Sequence, residues 1–266
     1  MNNAPITLNP QDHANAGWTK FTSYQFAGQD HLCPVQMAEL TQVLPWYPMA
    51  LVPTQETPNS PRVLVALLGT RPGQNLYVTP QGQWQAPYIP AHFRGYPFSL
   101  NKEGQVQINS QSGLMQKTAP SPETAFYTQD TESGQLQPST ALQQIHNFLT
   151  QCQQGLALTH KLTQQLQQHG LFEDWPIEFK NGQQTLKLQG IERISEPALR
   201  TLSGEAYQQL AHSGALGLAY AQIYSQARLA DLQYRLQKTA QGQSPQAQDI
   251  DLDQVFGESS DDLFKF

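Results

Sequence analysis

Apolar residues change their spacing once along this chain. Before Pro138 they come in short runs of strand length, and beyond it they return at three- and four-residue steps. In the first half, PMALVP (48–53) and RVLVALLG (62–69) are such runs, bounded by Pro and Gly, with PNSP (58–61) as the turn between them. NLYV (75–78) and QWQA (83–86), separated by TPQG, predict a hairpin with Leu76 and Val78 on one face and Tyr77 on the other. FSLN (98–101) and VQINS (106–110) flank KEGQ in the same way, and connections this short join antiparallel neighbours. Upstream, Val35, Met37, Ala38 and Leu40 begin a short helical pattern that Pro45 stops, because proline lacks the backbone donor and disfavours helix before it.

Past Pro138, Leu142, Ile145, Leu149, Cys152, Leu156, Thr159, Thr163 and Leu166 form an apolar helical stripe. Thr140 with Gln143 matches a capping box, Gly170 suits the helix end, and Gly155 is expected to split the helix in two. IEFKNGQQTLKL (177–188) is a hairpin signal, since Asn181-Gly182 supports the positive φ of a tight turn. The segment 197–236 reads as helical, with Leu202, Leu210, Leu216, Ala219, Ile223 and Leu232 inward and a break between Ser213 and Gly217. The pattern predicts an α+β fold, a mainly antiparallel sheet from the N-terminal half packed against helices from the C-terminal half.

Residues 1–30 are polar and irregular, and predict a loosely ordered N-terminal arm ahead of a body spanning 31–238. From 239 to 266 the composition turns to Gly, Ser, Gln and Pro and then to acids, a linker and tail too poor in apolar surface to offset chain entropy and hence expected to be disordered. Within it Ile250, Leu252, Val255, Phe256, Leu263, Phe264 and Phe266 are hydrophobes spaced among acids. That is the pattern of a short motif docking on a partner, and also of an acidic terminus that only aids solubility.

Composition narrows the function classes. Of 266 residues 38% are hydrophobic and only 14% charged, and the mean hydropathy of −0.51 comes from 40 scattered glutamines rather than from a tract. The net charge is −6, of which residues 241–266 carry −5 through six acids against Lys265. The body is therefore close to neutral and has no Lys/Arg stripe, which argues against nucleic acid as a partner. Cys33 and Cys152 stand alone, without a disulfide framework or zinc pair. The opening residues lack a basic segment followed by an apolar run, and no apolar stretch approaches the ~20 residues of a membrane helix, so the expectation is a cytoplasmic chain without a transmembrane segment.

Catalytic motifs are missing from the sequence. The histidines at 13, 31, 92, 146, 160, 169 and 212 fall in no metal-binding spacing, no G-x-S-x-G elbow occurs, and neither phosphate-binding glycine motif is present. No metal or cofactor is expected. What stands out is residues 75–100, NLYVTPQGQWQAPYIPAHFRGYPFSL, which crowd rings, prolines and one arginine together. Asn75, Trp84, Tyr88, Arg94 and Tyr96 are the candidate ligand- or partner-binding residues. Stiff aromatics around a planar donor fork resemble a binding hot spot and suit a carboxylate or a π face. The same side chains would equally serve a core, the aromatics burying area while the arginine pairs internally.

This stretch resembles the signature block of the SapC family, bacterial proteins of about this length associated with surface-layer loci. Asn75, Leu76, Tyr77, Val78, Gly82, Trp84, Tyr88, Pro90, Ala91, Arg94, Tyr96, Pro97 and Phe98 match it, whereas Phe93 and Gly95 depart from its usual Leu and Arg. HLCPVQMAELTQVLPWYPMAL, with Glu39 and Tyr47-Pro48, is similar to the family's opening segment, and residues 188–232 to its closing helical region. The likeness spans residues 20–236. It implies an accessory role in handling cell-surface ligands or peptides, beside tryptophan halogenases, oxygenases and TonB-dependent receptors, and it brings no catalytic residues with it. The leading expectation is a non-enzymatic binding protein with a protein or peptide partner, associated with cell-envelope or surface-layer systems. The competing readings are a peptide-modifying enzyme working with halogenase or oxygenase partners, in which Arg94 holds a carboxylate and His92 or Tyr88 moves a proton, and a secretion or assembly adaptor acting through the tail.

Overall fold

The computed structural model describes residues 5–55, 57 and 60–240. Its elements begin with β1 (Ile6–Thr7), α1 (Pro10–His13), β2 (Gly17–Trp18), β3 (Leu32–Pro34), α2 (Leu40–Val43), β4 (Met49–Pro53) and β5 (Arg62–Leu67). There follow α3 (Ala91–Arg94), β6 (Phe98–Leu100), β7 (Val106–Ile108), β8 (Met115–Gln116), β9 (Tyr127–Gln129), β10 (Leu136–Pro138) and the long α4 (Thr140–Gln168). The rest comprises β11 (Phe172–Asp174), β12 (Ile177–Asn181), β13 (Gln184–Leu188), β14 (Glu192–Ile194), α5 (Glu196–Arg200), α6 (Gly204–Ser213), α7 (Ala215–Ser225) and α8 (Leu229–Ala240). The fold is α+β. Every strand pair is antiparallel, and the longest helices lie in the C-terminal half.

The principal sheet has the order β11-β14-β4-β5-β3, with β4 and β5 in register Leu51↔Leu64 and β3 beside β5 in register Cys33↔Ala66. Its central strands are buried almost end to end, which explains why their sequences read as continuous apolar runs rather than alternating ones. Where β14 meets β4 the ladder holds only Glu192↔Leu51. Gln222 of α7, fully buried, fills the gap: its amide donates to Met49 O at 2.9 Å and accepts from Ile194 N at 2.9 Å. A largely buried bidentate pair reaches from β5 over β4 to β14, Arg62 Nε and Nη2 bonding Glu192 at 2.8 and 2.7 Å.

Helix α4 joins two cores. Its C-terminal half sends Leu162 and Leu166 into the main cluster with Leu51, Leu64, Tyr77 and Leu218, while Leu142 near its start closes a smaller cluster around Trp18, Ile108 and Phe126. Ser139 caps the helix, accepting from Leu142 N at 3.1 Å. Gly155 does not split it. A methyl group at that position would overlap the Gln36 side chain, so glycine here admits the crossing segment 36–39, whose Met37 N donates to Thr159 Oγ1 at 2.7 Å. The stripe is also narrower than its spacing implies, since Leu156 is exposed.

Several other local expectations differ from the structure. Residues 5–30 are not a loose arm: β1 pairs with β7, β2 pairs with β8, and Leu8, Trp18 and Ala27 are buried. The hairpin expected at 75–86 contracts to a single Val78↔Trp84 bridge around a tight turn, and Tyr77 and Leu76 are both buried. By contrast β6 and β7 pair as read, Phe98↔Ile108, and so do β12 and β13. In that second hairpin Gly182 alone takes the positive φ, 61°, as the first central residue, while Asn181 stays in the strand. Gly214, at φ 89°, separates α6 from α7 where the break was expected. No helix among the described residues is long and apolar enough to cross a membrane.

Candidate functional site: an arginine clamped on a carboxylate-centred block

Two segments distant in sequence, 36–39 and 88–91, meet at Glu39. Residues 37–39 form one turn of 3-10 helix opened by a capping box with Gln36, so the Glu39 side chain folds back to accept from Gln36 N at 3.1 Å. Its other oxygen accepts from Ala91 N at 2.8 Å and from the Tyr88 hydroxyl at 2.7 Å. The residue is only 3% exposed. Such a carboxylate is tolerable inside the fold because three donors replace its water.

Tyr88 carries the connection outward. Arg94 Nη2 donates to its hydroxyl at 3.1 Å, and the guanidinium sits 5.5 Å from the Tyr88 ring centroid and 5.4 Å from that of Phe148 on α4. Burial, reinforced by the Glu39 carboxylate that takes its hydroxyl hydrogen, pushes the Tyr88 phenol well above its ordinary value of 10.0, with Arg94 opposing. Arg94 itself is exposed and forms no salt bridge among the described residues. Two rings and a phenol hold a cation whose remaining donors face solvent.

Behind Tyr88 the block is solid. The Tyr47 hydroxyl donates to Tyr88 O and accepts from Trp84 Nε1 at 2.9 Å, and burial pushes this phenol up as well. Tyr77, fully buried, donates to Trp46 O at 3.0 Å beneath the Arg235 guanidinium, which lies 4.2 Å from its ring centroid. Asn75 clips two chain segments together, donating to Ala27 O and accepting from Tyr77 N, both at 2.9 Å. Its amide is spent on backbone. Trp84 is half-buried against Tyr24 and Phe93, and Tyr96 stacks on Phe26 at 3.7 Å between centroids.

The five candidate residues thus occupy one neighbourhood in different roles, Asn75 inside, Trp84, Tyr88 and Tyr96 at half depth, Arg94 outermost. Arg94 opens into a groove of about 750 Å³ lined also by Trp18, Lys20, Glu123, Ile145 and Phe148. Two cations against one acid, set among apolar rings, favour an anionic ligand with an apolar body. His92 lines a separate cleft of about 280 Å³ with Gln36, Glu39 and Cys152. There the Cys152 thiol is pushed up by burial, with Gln36 Nε2 3.6 Å from its sulfur, the opposite of what an activated nucleophile needs. Of these two clefts, His92 lines one and Arg94 the other.

Sequence reasoning passed over Glu39 as a site residue, and over Phe148, Trp18 and Lys20. Phe148 had a signal, a large ring one position beside the apolar stripe of α4. Trp18 and Lys20 had none, being placed by the pairing of β2 with β8. The tail residues Leu252, Val255, Phe256, Leu263, Phe264 and Phe266 lie outside the described residues.

A family model described as SapC matches residues 8–232 of the chain. No curated protein and no solved structure matches it.

Proposed function

The chain belongs to the SapC family, and from that premise we propose that it is a non-enzymatic accessory protein of bacterial cell-surface systems that binds a carboxylate-bearing peptide in the Arg94 groove. The observation that carries this reading is the exposed Arg94 guanidinium, oriented by Tyr88 and Phe148 and lacking a carboxylate partner among the described residues. A fork fixed in advance loses little freedom when it closes on a planar carboxylate, and the two parallel hydrogen bonds then give orientation as well as affinity. Lys20 adds a second positive charge, while Trp18, Ile145 and Phe148 offer the apolar wall on which a side chain would lie. The separation of His92 from Arg94 and the raised thiol of Cys152 support binding over peptide modification.

The test is a panel of peptides offered both with free C-terminal carboxylates and as their C-terminal amides, titrated calorimetrically against the full chain. Binding confined to the free acids supports the reading. Equal binding of acids and amides, or none across the panel, refutes it.

A further inference from the structure

A third cavity shares no residue with the Arg94 groove or the His92 cleft. It holds about 480 Å³ where α5, α6 and α7 meet, and its lining includes Leu199, Tyr207, Tyr220 and Tyr224 with Glu196 and Arg200. Tyr224 is 63% exposed, more than any other large hydrophobic side chain described, and Tyr207 is 43% exposed. Aromatic area of this size left to water marks a contact surface. We propose that this cavity is a binding site for a neutral oligosaccharide.

Charge and ring geometry select that class. The only charged groups in the lining are Glu196 and Arg200, which pair with each other at 3.2 Å one helical turn apart, so the site presents no net charge. An anionic or cationic ligand gains nothing there. The rings of Tyr220 and Tyr224 are nearly parallel, 21° apart with centroids at 6.0 Å, rather than facing one another steeply around a point, and Arg200 would repel a cation placed between them. This is no cage for an ammonium group. Near-parallel rings, Tyr224 exposed and Tyr220 partly so, instead offer flat faces to the C–H face of a sugar. Tyr207 and Tyr220 both line the cavity, so two phenol groups are available there to a ligand's hydroxyls.

Hydrogen-bonding capacity separates a sugar from a proline-rich peptide, the other ligand that docks on tyrosines. Glu196 can only accept and Arg200 can only donate, and both side chains remain mostly in solvent. Neighbouring sugar hydroxyls each donate and accept, and satisfy both. A proline-rich backbone offers mainly carbonyl acceptors and adds no donor to the Glu196 carboxylate beyond Arg200.

The full chain should be applied to an array of neutral di- to hexasaccharides, and the strongest hit titrated against wild type, Tyr224→Ala and Arg200→Ala, with a proline-rich decapeptide in parallel. The expected result is binding of a neutral glycan that weakens about tenfold in Tyr224→Ala. Thermal melting of that variant should be unchanged, because the removed ring is largely in solvent. Arg200→Ala should weaken binding as well. An empty array, glycan affinity that both variants retain, or preference for the decapeptide would overturn the proposal.

Discussion

Replacing Glu39 by glutamine tests whether its carboxylate organises the aromatic block. The change is nearly isosteric, but an amide has one acceptor oxygen where the carboxylate has two. In the better orientation the oxygen keeps Tyr88 and Ala91, and the new NH2 faces Gln36 N–H. One buried backbone donor is then unpaired, at about 1–3 kcal/mol, and each surviving bond loses about 1 kcal/mol with the charge. Part of this is returned because a carboxylate 3% exposed no longer has to be desolvated. The relief is limited, since three donors already solvate that charge, and we expect a net loss of about 2–3 kcal/mol. Urea unfolding followed by fluorescence of the four tryptophans reads it as a lower midpoint at unchanged slope. Tyr88→Phe should be less costly by about 1 kcal/mol in the Glu39→Gln background than in wild type, because the bond the two side chains share survives there without its charge. An unchanged or raised midpoint, or strict additivity of the two substitutions, would refute the reasoning.

Two further outcomes follow from buried and partly buried polar groups. Gln222→Leu keeps the volume but strands Ile194 N–H and Met49 C=O between β4 and β14, and should lower stability by about 2–4 kcal/mol in the same urea experiment. A loss under about 0.5 kcal/mol would mean that the strands close on each other without it. Glu173 has a folded pKa below its ordinary 4.5, held down by the Ser195 hydroxyl and then by Arg193. The unfolded chain therefore binds this proton more readily, so the contribution is present above pH 4.5 and is lost as pH falls through the lower folded value. With both side chains more than a third exposed to water, Glu173→Gln should cost under about 1 kcal/mol at pH 6, and progressively less as the pH falls below 4.5. A cost that stays level through that fall would contradict the assignment.

What the sequence disclosed divides by range of interaction. The hairpins at 98–108 and 177–188 and the break at Gly214 were legible because a few adjacent residues decide them, through turn chemistry and positive φ. Residues 5–30 were not, because strands of two residues carry no periodicity and owe their place to partners a hundred positions away, as Ile6 does to Ile108. Gly155 misled for a related reason. Its helix cost is real in isolation, but here the missing side chain makes room for Gln36 from another segment. The aromatic block was found by composition alone, yet its centre was not. Glu39 occurs in a short helical pattern as an ordinary polar position, and only tertiary packing brings Tyr88 and Ala91 onto its carboxylate.

The central claim, that Arg94 is held in place for something outside the chain, is tested most directly by measuring peptide affinity and unfolding free energy together on Arg94→Ala. The guanidinium contributes one hydrogen bond and two ring contacts on an exposed side chain, so stability should fall by no more than about 1–2 kcal/mol, while affinity for the free-acid peptide disappears. Retained affinity in a folded variant, or unfolding of the variant outright, would contradict it.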